Sequence, residues 1–260
     1  MPPAPADRLP TLIERLLGTV HPARLLVASD FDGTLAEVVP EAGAARARPE
    51  ALAALEDLVG VVGTVALISG RAQPDLERVV KVPGVRLLGD YGQPAGRPPA
   101  PALDRFRSAV EPALAAIAGT LLEVKPGAIA IHYRERPEAA AAVLAAVAGP
   151  ARAEGLDVRR GRMVVEVLPG GWDKSRALAR LLGETAAAGA VFLGDDFGDR
   201  GCFEYLARLD RPRLAIGVAS PETPAEVFDA CDVLVAGPAG AAAALSRLAR
   251  AARARGRAGP

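Results

Sequence analysis

At 260 residues, half of them hydrophobic and a quarter charged, the chain is long enough for one or two globular domains with a sizeable core, which excludes wholesale disorder. Thirty-one Lys+Arg against 31 Asp+Glu give a formal net charge of zero, and only 4% of residues are aromatic. Neither a global positive field nor a base-stacking surface is available for nucleic acid or anionic lipid. Two cysteines, Cys202 and Cys231, exclude a disulfide framework. The opening residues, with prolines and an acid, do not read as a secretory leader. No apolar run reaches the roughly 18 residues of a membrane span. A reduced, cytoplasmic setting is expected.

Short apolar runs, each ending in a polar or glycine-rich turn, mark strands along the chain. They are 24–29, 61–68, 84–88, 190–193, 213–218 and 232–235. Their sequences are nearly all apolar rather than alternating, the pattern of strands buried on both faces of a parallel sheet. Helical spacing lies between them at 49–58, 173–182 and 239–255. This alternation predicts a doubly wound α/β core. Ligands on such sheets bind at the carboxyl ends of the strands, where the polar clusters fall.

The middle reads differently. Helix 106–117, strands 121–124 and 128–133, helix 137–147 and a hairpin of 157–160 and 163–168 around Gly161 predict an inserted α+β domain. The stretches 94–101 and 169–171, rich in proline and glycine, read as linkers. The expected division is 1–100 for the first part of the core, 101–170 for the insert and 171–260 for the second part of the core. The arginine-rich 247–257 reads as a helix end fraying into solvent, not as a nucleic-acid arm.

Two acidic strand ends carry the chemistry. Asp30-Phe31-Asp32-Gly33-Thr34-Leu35 follows the first strand. A carboxylate at Asp30 can attack phosphorus, and a second at Asp32, aimed by the glycine turn, can give and take a proton. Gly194-Asp195-Asp196-Phe197-Gly198-Asp199 ends a later strand. Brought together, these acids would repel one another without a cation, and hard carboxylate oxygens with phosphate suit magnesium. Ser69, in Ser69-Gly70-Arg71, either starts a turn or binds phosphate oxygens. Lys174 opens a helix, where its charge opposes the helix dipole. It is either solvated or neutralises a phosphate and its nucleophile.

These four motifs, in this order, resemble the haloacid dehalogenase superfamily of phosphatases, in the members whose large cap falls between the second and third motifs. More closely, the chain is similar to the trehalose-6-phosphate phosphatase family. Pro40, Ala44 to Pro49, Ile68-Ser69-Gly70-Arg71, His132-Tyr133-Arg134 preceded by Glu123 and Lys125, and Gly161-Arg162-Met163-Val164-Val165-Glu166 follow its pattern across about residues 20 to 245. The resemblance implies Asp30 as nucleophile and Mg²⁺ ligand. It implies Asp32 as acid/base lending its carbonyl to the metal, and Asp195 as the other ligand, supported by Asp196 or Asp199. Ser69 and Lys174 would hold the phosphoryl group, and Arg71, Lys125, Arg162 and Glu166 the substrate. Glu166 and Arg162 also read as a cross-strand ion pair, and His132 as a structural residue. The sequence departs from the pattern where Tyr91-Gly92 is followed by Gln93-Pro94 instead of Leu-Glu, at Leu168 in place of a basic residue, and at Gly198 and Arg200. The expected activity is magnesium-dependent hydrolysis of trehalose 6-phosphate through an aspartyl-phosphate. A phosphatase for another sugar or polyol phosphate, or a catalytically silent binding protein on the same fold, are the alternatives. The expected partner is a small phosphorylated sugar bound by a monomer, with neither nucleic acid nor membrane.

Overall fold

A computed structural model describes residues 3–39, 44–93, 101–125, 127–161, 163–171 and 173–257. The chain divides into two compact units, Met1–Gly92 with Lys174–Pro260, and Gln93–Asp173.

The first unit holds a parallel sheet of six strands. They are β1 (Leu25–Ser29), β2 (Thr64–Ile68), β3 (Val85–Leu88), β8 (Gly189–Gly194), β9 (Arg213–Ala219) and β10 (Val233–Ala236), ordered β10-β9-β8-β1-β2-β3. Every pairing is parallel, with Val27 opposite Val65 on one side and Val191 on the other. Alternate residues feed opposite faces. Leu25, Val27, Val191 and Leu193 join one core with α1 (Leu9–Thr19), α2 (Pro49–Val59) and α8 (Gly237–Arg257). Leu26, Ala28, Ala190 and Phe192 join the other with α6 (Lys174–Glu184) and α7 (Phe197–Ala207). Burial on both faces is why these strands read as unbroken apolar runs. The strand order reverses between β1 and β8, so their carboxyl ends border the crevice where such sheets bind ligands.

The second unit is an antiparallel sheet ordered β4-β5-β7-β6, from β4 (Leu121–Lys125), β5 (Ala128–His132), β6 (Leu156–Gly161) and β7 (Val164–Pro169). Ile129, Ile131, Val165 and Val167 pack on Phe106 and Val110 of α4 (Pro101–Ala115) and Val143 and Val147 of α5 (Ala140–Ala153). Period-2 alternation therefore turns Glu123, Lys125, Ala128, Ala130, His132, Asp157, Arg159, Glu166 and Leu168 to the opposite face.

The expected fold class matches this architecture, with local differences. α1, α3 (Gln73–Val79) and α7 were not in the helical pattern read from the sequence. In the β6–β7 hairpin Gly161 belongs to β6, and the turn falls later, with Met163 at a left-handed φ of 57°. α8 stays helical to Arg257 instead of fraying earlier. The linker at 94–100 lies outside the described residues. Cys202 and Cys231 are buried and packed among the core residues. Among the described residues no helix is long and apolar enough to cross a membrane.

Candidate active site

The turn after β1 is held by its own backbone. Leu35 and Ala36 N–H both donate to the Phe31 carbonyl, and Gly33 N–H donates to the Ala36 carbonyl. Gly33 adopts φ +80°, and a Cβ there would run into the Asp195 carboxylate. Only glycine lets the β1 turn and the end of β8 approach this closely. Gly33→Ala is expected to cost about 1–3 kcal/mol of stability, read from chemical denaturation. An unchanged midpoint would show that the turn relaxes freely. Gly194 plays the same part from the other side, since a Cβ there would enter the Asp199 side chain.

The turn and the β8 end bring three buried carboxylates together. One oxygen from each of Asp30, Asp195 and Asp199 lies within 4.8 Å of the others. Thr34 Oγ1 donates to Asp195 Oδ1 at 2.7 Å. Asp199 Oδ2 accepts the Asp195 and Asp196 backbone N–H groups at 2.9 and 3.2 Å. Asp196 caps α7, its Oδ1 accepting from Gly198 N–H at 2.8 Å in a reciprocal capping box with Asp199.

The Lys174 ammonium is buried between these acids, 2.8 Å from Asp30 Oδ1 and 2.9 Å from Asp199 Oδ1. Burial opposes its charge, yet the Asp199 and Asp30 carboxylates hold it well above the ordinary lysine range. Burial, and then the Asp199 carboxylate, push the Asp30 carboxyl well above the usual carboxylate range, with Lys174 opposing. One ammonium does not balance three buried carboxylates, and the donor set is entirely hard oxygen. Such a cluster fits a small divalent cation.

Asp32 takes a different partner. Arg71 grips it in a fork, Nε to Oδ2 at 2.7 Å and Nη2 to Oδ1 at 2.6 Å, while lying 5.0 Å over the Phe31 ring. Burial opposes the Arg71 charge, but the Asp32 hydrogen bond and charge raise its pKa above the ordinary arginine value. Ser69 is buried, and its Oγ accepts the Arg71 N–H at 3.1 Å. After β3, Asp90, Tyr91 and Gly92 take left-handed φ of 50°, 56° and 75° in succession. Asp90 Oδ2 holds the N–H of Gln73, and the Tyr91 ring packs on Gly70, whose missing Cβ makes the room.

On the polar sheet face of the second unit, Lys125 Nζ meets Glu166 Oε1 at 2.7 Å, and His132 Nε2 meets Glu123 Oε2 at 2.8 Å. The Lys125–Glu166 pair straddles β5, where Ala128 and Ala130 are small enough to let the longer side chains reach over them, while His132–Glu123 joins the adjacent strands β5 and β4. Arg159 stands opposite Glu166 and extends to Asp173 Oδ2 at 3.4 Å.

The trehalose-phosphatase family model matches residues 28–230, more than half of the chain, from within β1 through the second unit to beyond β9. The chain belongs to the trehalose-phosphatase family. It is 32% identical over 235 residues to the trehalose-phosphate phosphatase of Mycobacterium marinum, an alignment covering 79% of this chain and 60% of that protein. The chain thus spans about 60% of that relative's length. In fold it is similar to the C-terminal domain of trehalose-6-phosphate phosphatase from C. albicans, with a TM-score of 0.76 at 19% identity over 96% of this chain and 98% of that one. It is also similar to a haloacid dehalogenase-like hydrolase from Bacteroides thetaiotaomicron, with a TM-score of 0.62 at 14% identity over 86% and 99% of the two chains.

In this trehalose-phosphatase family member, Asp30, Lys174, Asp195 and Asp199 converge, and Asp32 and Ser69 both contact Arg71. Asp196 is a helix cap beside them. Lys125 and Glu166 meet each other on the second unit, so the ion pair drawn from the sequence for Glu166 has Lys125 as a partner. Arg162 lies outside the described residues. Sequence reasoning gave no role to Thr34, to the Arg71–Asp32 fork or to the left-handed run at 90–92. Thr34 was legible as the residue after the glycine turn; Asp90 and Tyr91 gave no signal, because neither residue type demands that backbone.

Proposed function

We infer that the protein is a phosphatase that hydrolyses trehalose 6-phosphate. The observation that carries this reading is the buried cluster of Asp30, Asp195, Asp199 and Lys174 at the switch point of the sheet, in a chain of this family. Asp30 is the nucleophile, its oxygen forming the bond to phosphorus as the sugar oxygen leaves. Asp32 gives that oxygen its proton and then takes one from the water that hydrolyses the aspartyl-phosphate. Arg71 orients the Asp32 carboxyl through its two-point grip until substrate arrives. Ser69 and Lys174 bind phosphoryl oxygens, and Lys174 also neutralises Asp30.

Asp30 and Asp195, with the Asp32 carbonyl, would hold Mg²⁺, which when bound supplies charge neutralisation at the phosphoryl oxygens. Asp199 supports the site by orienting Lys174 and the backbone of Asp195 and Asp196, since both its oxygens are engaged there. Asp196 fixes the start of α7.

The second unit serves as the cap. Lys125 and Glu166, with Arg162, contact sugar hydroxyls. Glu166→Ala is therefore expected to lower kcat/KM for trehalose 6-phosphate by about 10–100-fold, the worth of a charged hydrogen bond. Hydrolysis of a small aryl phosphate should change by less than about threefold. Equal losses on both substrates would assign Glu166 a structural role. One observation favours a second reading, a different sugar or polyol phosphate. Leu168, beside Asp157 on the polar sheet face, is fully buried and apolar where the family's pattern has a cation.

A further inference from the structure

A cleft of about 570 Å³ lies in the first unit, away from the acidic cluster, between the start of α2 and the first turns of α8. Its wall carries three arginines, Arg48, Arg247 and Arg250, against one acid, Glu50, with Ser246 and the small residue Gly240 beside them. α8 bears all five arginines of the C-terminal stretch and no acidic residue from Gly237 to Arg257. Arg253 is taken by Asp57 at 2.7 Å. Arg247 and Arg250 are exposed on the cleft wall.

Arg48 is the informative residue. Its Nη1 reaches Glu37 at 3.3 Å, while its Nε is shielded from solvent and makes no hydrogen bond, the Glu50 carboxylate standing 3.5 Å away. The shielded Nε has only the 3.5 Å ion pair with Glu50, which falls short of a hydrogen bond. The volume suits a metabolite-sized ligand. With Arg48 paired to Glu37 and Glu50, the exposed guanidinium groups of Arg247 and Arg250 select an anion with several oxygens, because each planar fork engages two at once. The backbone N–H groups at the start of α8 add positive potential.

We propose that this cleft is a binding site for a small phosphorylated anion, separate from the acidic cluster. It also has a physical connection to the catalytic turn. Arg48 N–H donates to the Leu35 carbonyl at 2.9 Å, and Ala47 bridges to Ala36, which bridges to Asp32.

The test is isothermal titration calorimetry of inorganic pyrophosphate into the full chain at 150 mM salt, comparing the parent with the double variant Arg247→Gln, Arg250→Gln. Both positions are exposed, so the fold should persist, and circular dichroism checks this. The expected result is saturable binding in the parent, weakened at least about tenfold in the variant. Equal affinities in the two proteins would place the anion elsewhere and overturn the proposal. So would binding that disappears between 20 and 150 mM salt, which would mark unspecific screening of an arginine-rich surface (about the ionic-strength range in which exposed charges are screened). Binding of a single-stranded oligonucleotide without any of pyrophosphate would overturn it in favour of a nucleic-acid surface.

Discussion

Asp30→Asn is expected to lower turnover by at least about a thousandfold while leaving the fold intact. The amide keeps the shape and can still accept the Lys174 hydrogen bond, which in the parent spans 2.8 Å. It cannot attack phosphorus, because the neutral amide is a poor nucleophile. Stability should hold or rise, since one carboxylate leaves a buried cluster that has more carboxylates than cations. The checks are phosphate release and the melting temperature, measured on the same preparation. Turnover near the parent rate would remove Asp30 from the nucleophile's role. A large drop in melting temperature would mean that its charge holds the site together.

Lys174→Met is expected to act on stability as well as on activity. The ammonium is buried and serves two carboxylates, Asp30 and Asp199. Methionine fills similar volume but leaves both stranded, a loss of about 3–5 kcal/mol. For a chain of this size that lowers the melting temperature by about 6–20 °C. Adding Asp30→Asn to Lys174→Met should restore part of the loss, because one stranded charge is then gone. That non-additivity separates charge from packing. Strictly additive effects would show that Lys174 contributes only volume.

Much of the architecture was legible because physical constraint and sequence pattern coincide. β1 and β8 must bury both faces, so Leu25 to Ser29 and Gly189 to Leu193 carry no charged side chain, and the acids begin where the strands end. The β4–β7 sheet was legible from its turns, Lys125-Pro126-Gly127 and Gly161, which separate short apolar strands. Lys174 was not settled by the sequence. A lysine at a helix start looks solvated, and its buried state follows only from Asp30 and Asp199, which are distant in the chain. Arg71 was implied as a substrate contact by the family resemblance, while its fork on Asp32 depends on β1 lying beside β2 and is not visible in chain order. α7 was overlooked because Gly198 in its first turn reads as loop, while the Asp196 cap that starts the helix lies within an acidic motif.

The most direct measurement is phosphate release with Mg²⁺ from a panel of trehalose 6-phosphate, sucrose 6-phosphate, glucose 6-phosphate, mannosyl-3-phosphoglycerate and an aryl phosphate, repeated with a chelator. The account predicts a kcat/KM for trehalose 6-phosphate at least about a hundredfold above the others, and loss of turnover when the metal is removed. Turnover of the aryl phosphate with no preference for trehalose 6-phosphate would contradict the substrate assignment. No release from any ester in Mg²⁺ would contradict the catalytic reading of Asp30 itself.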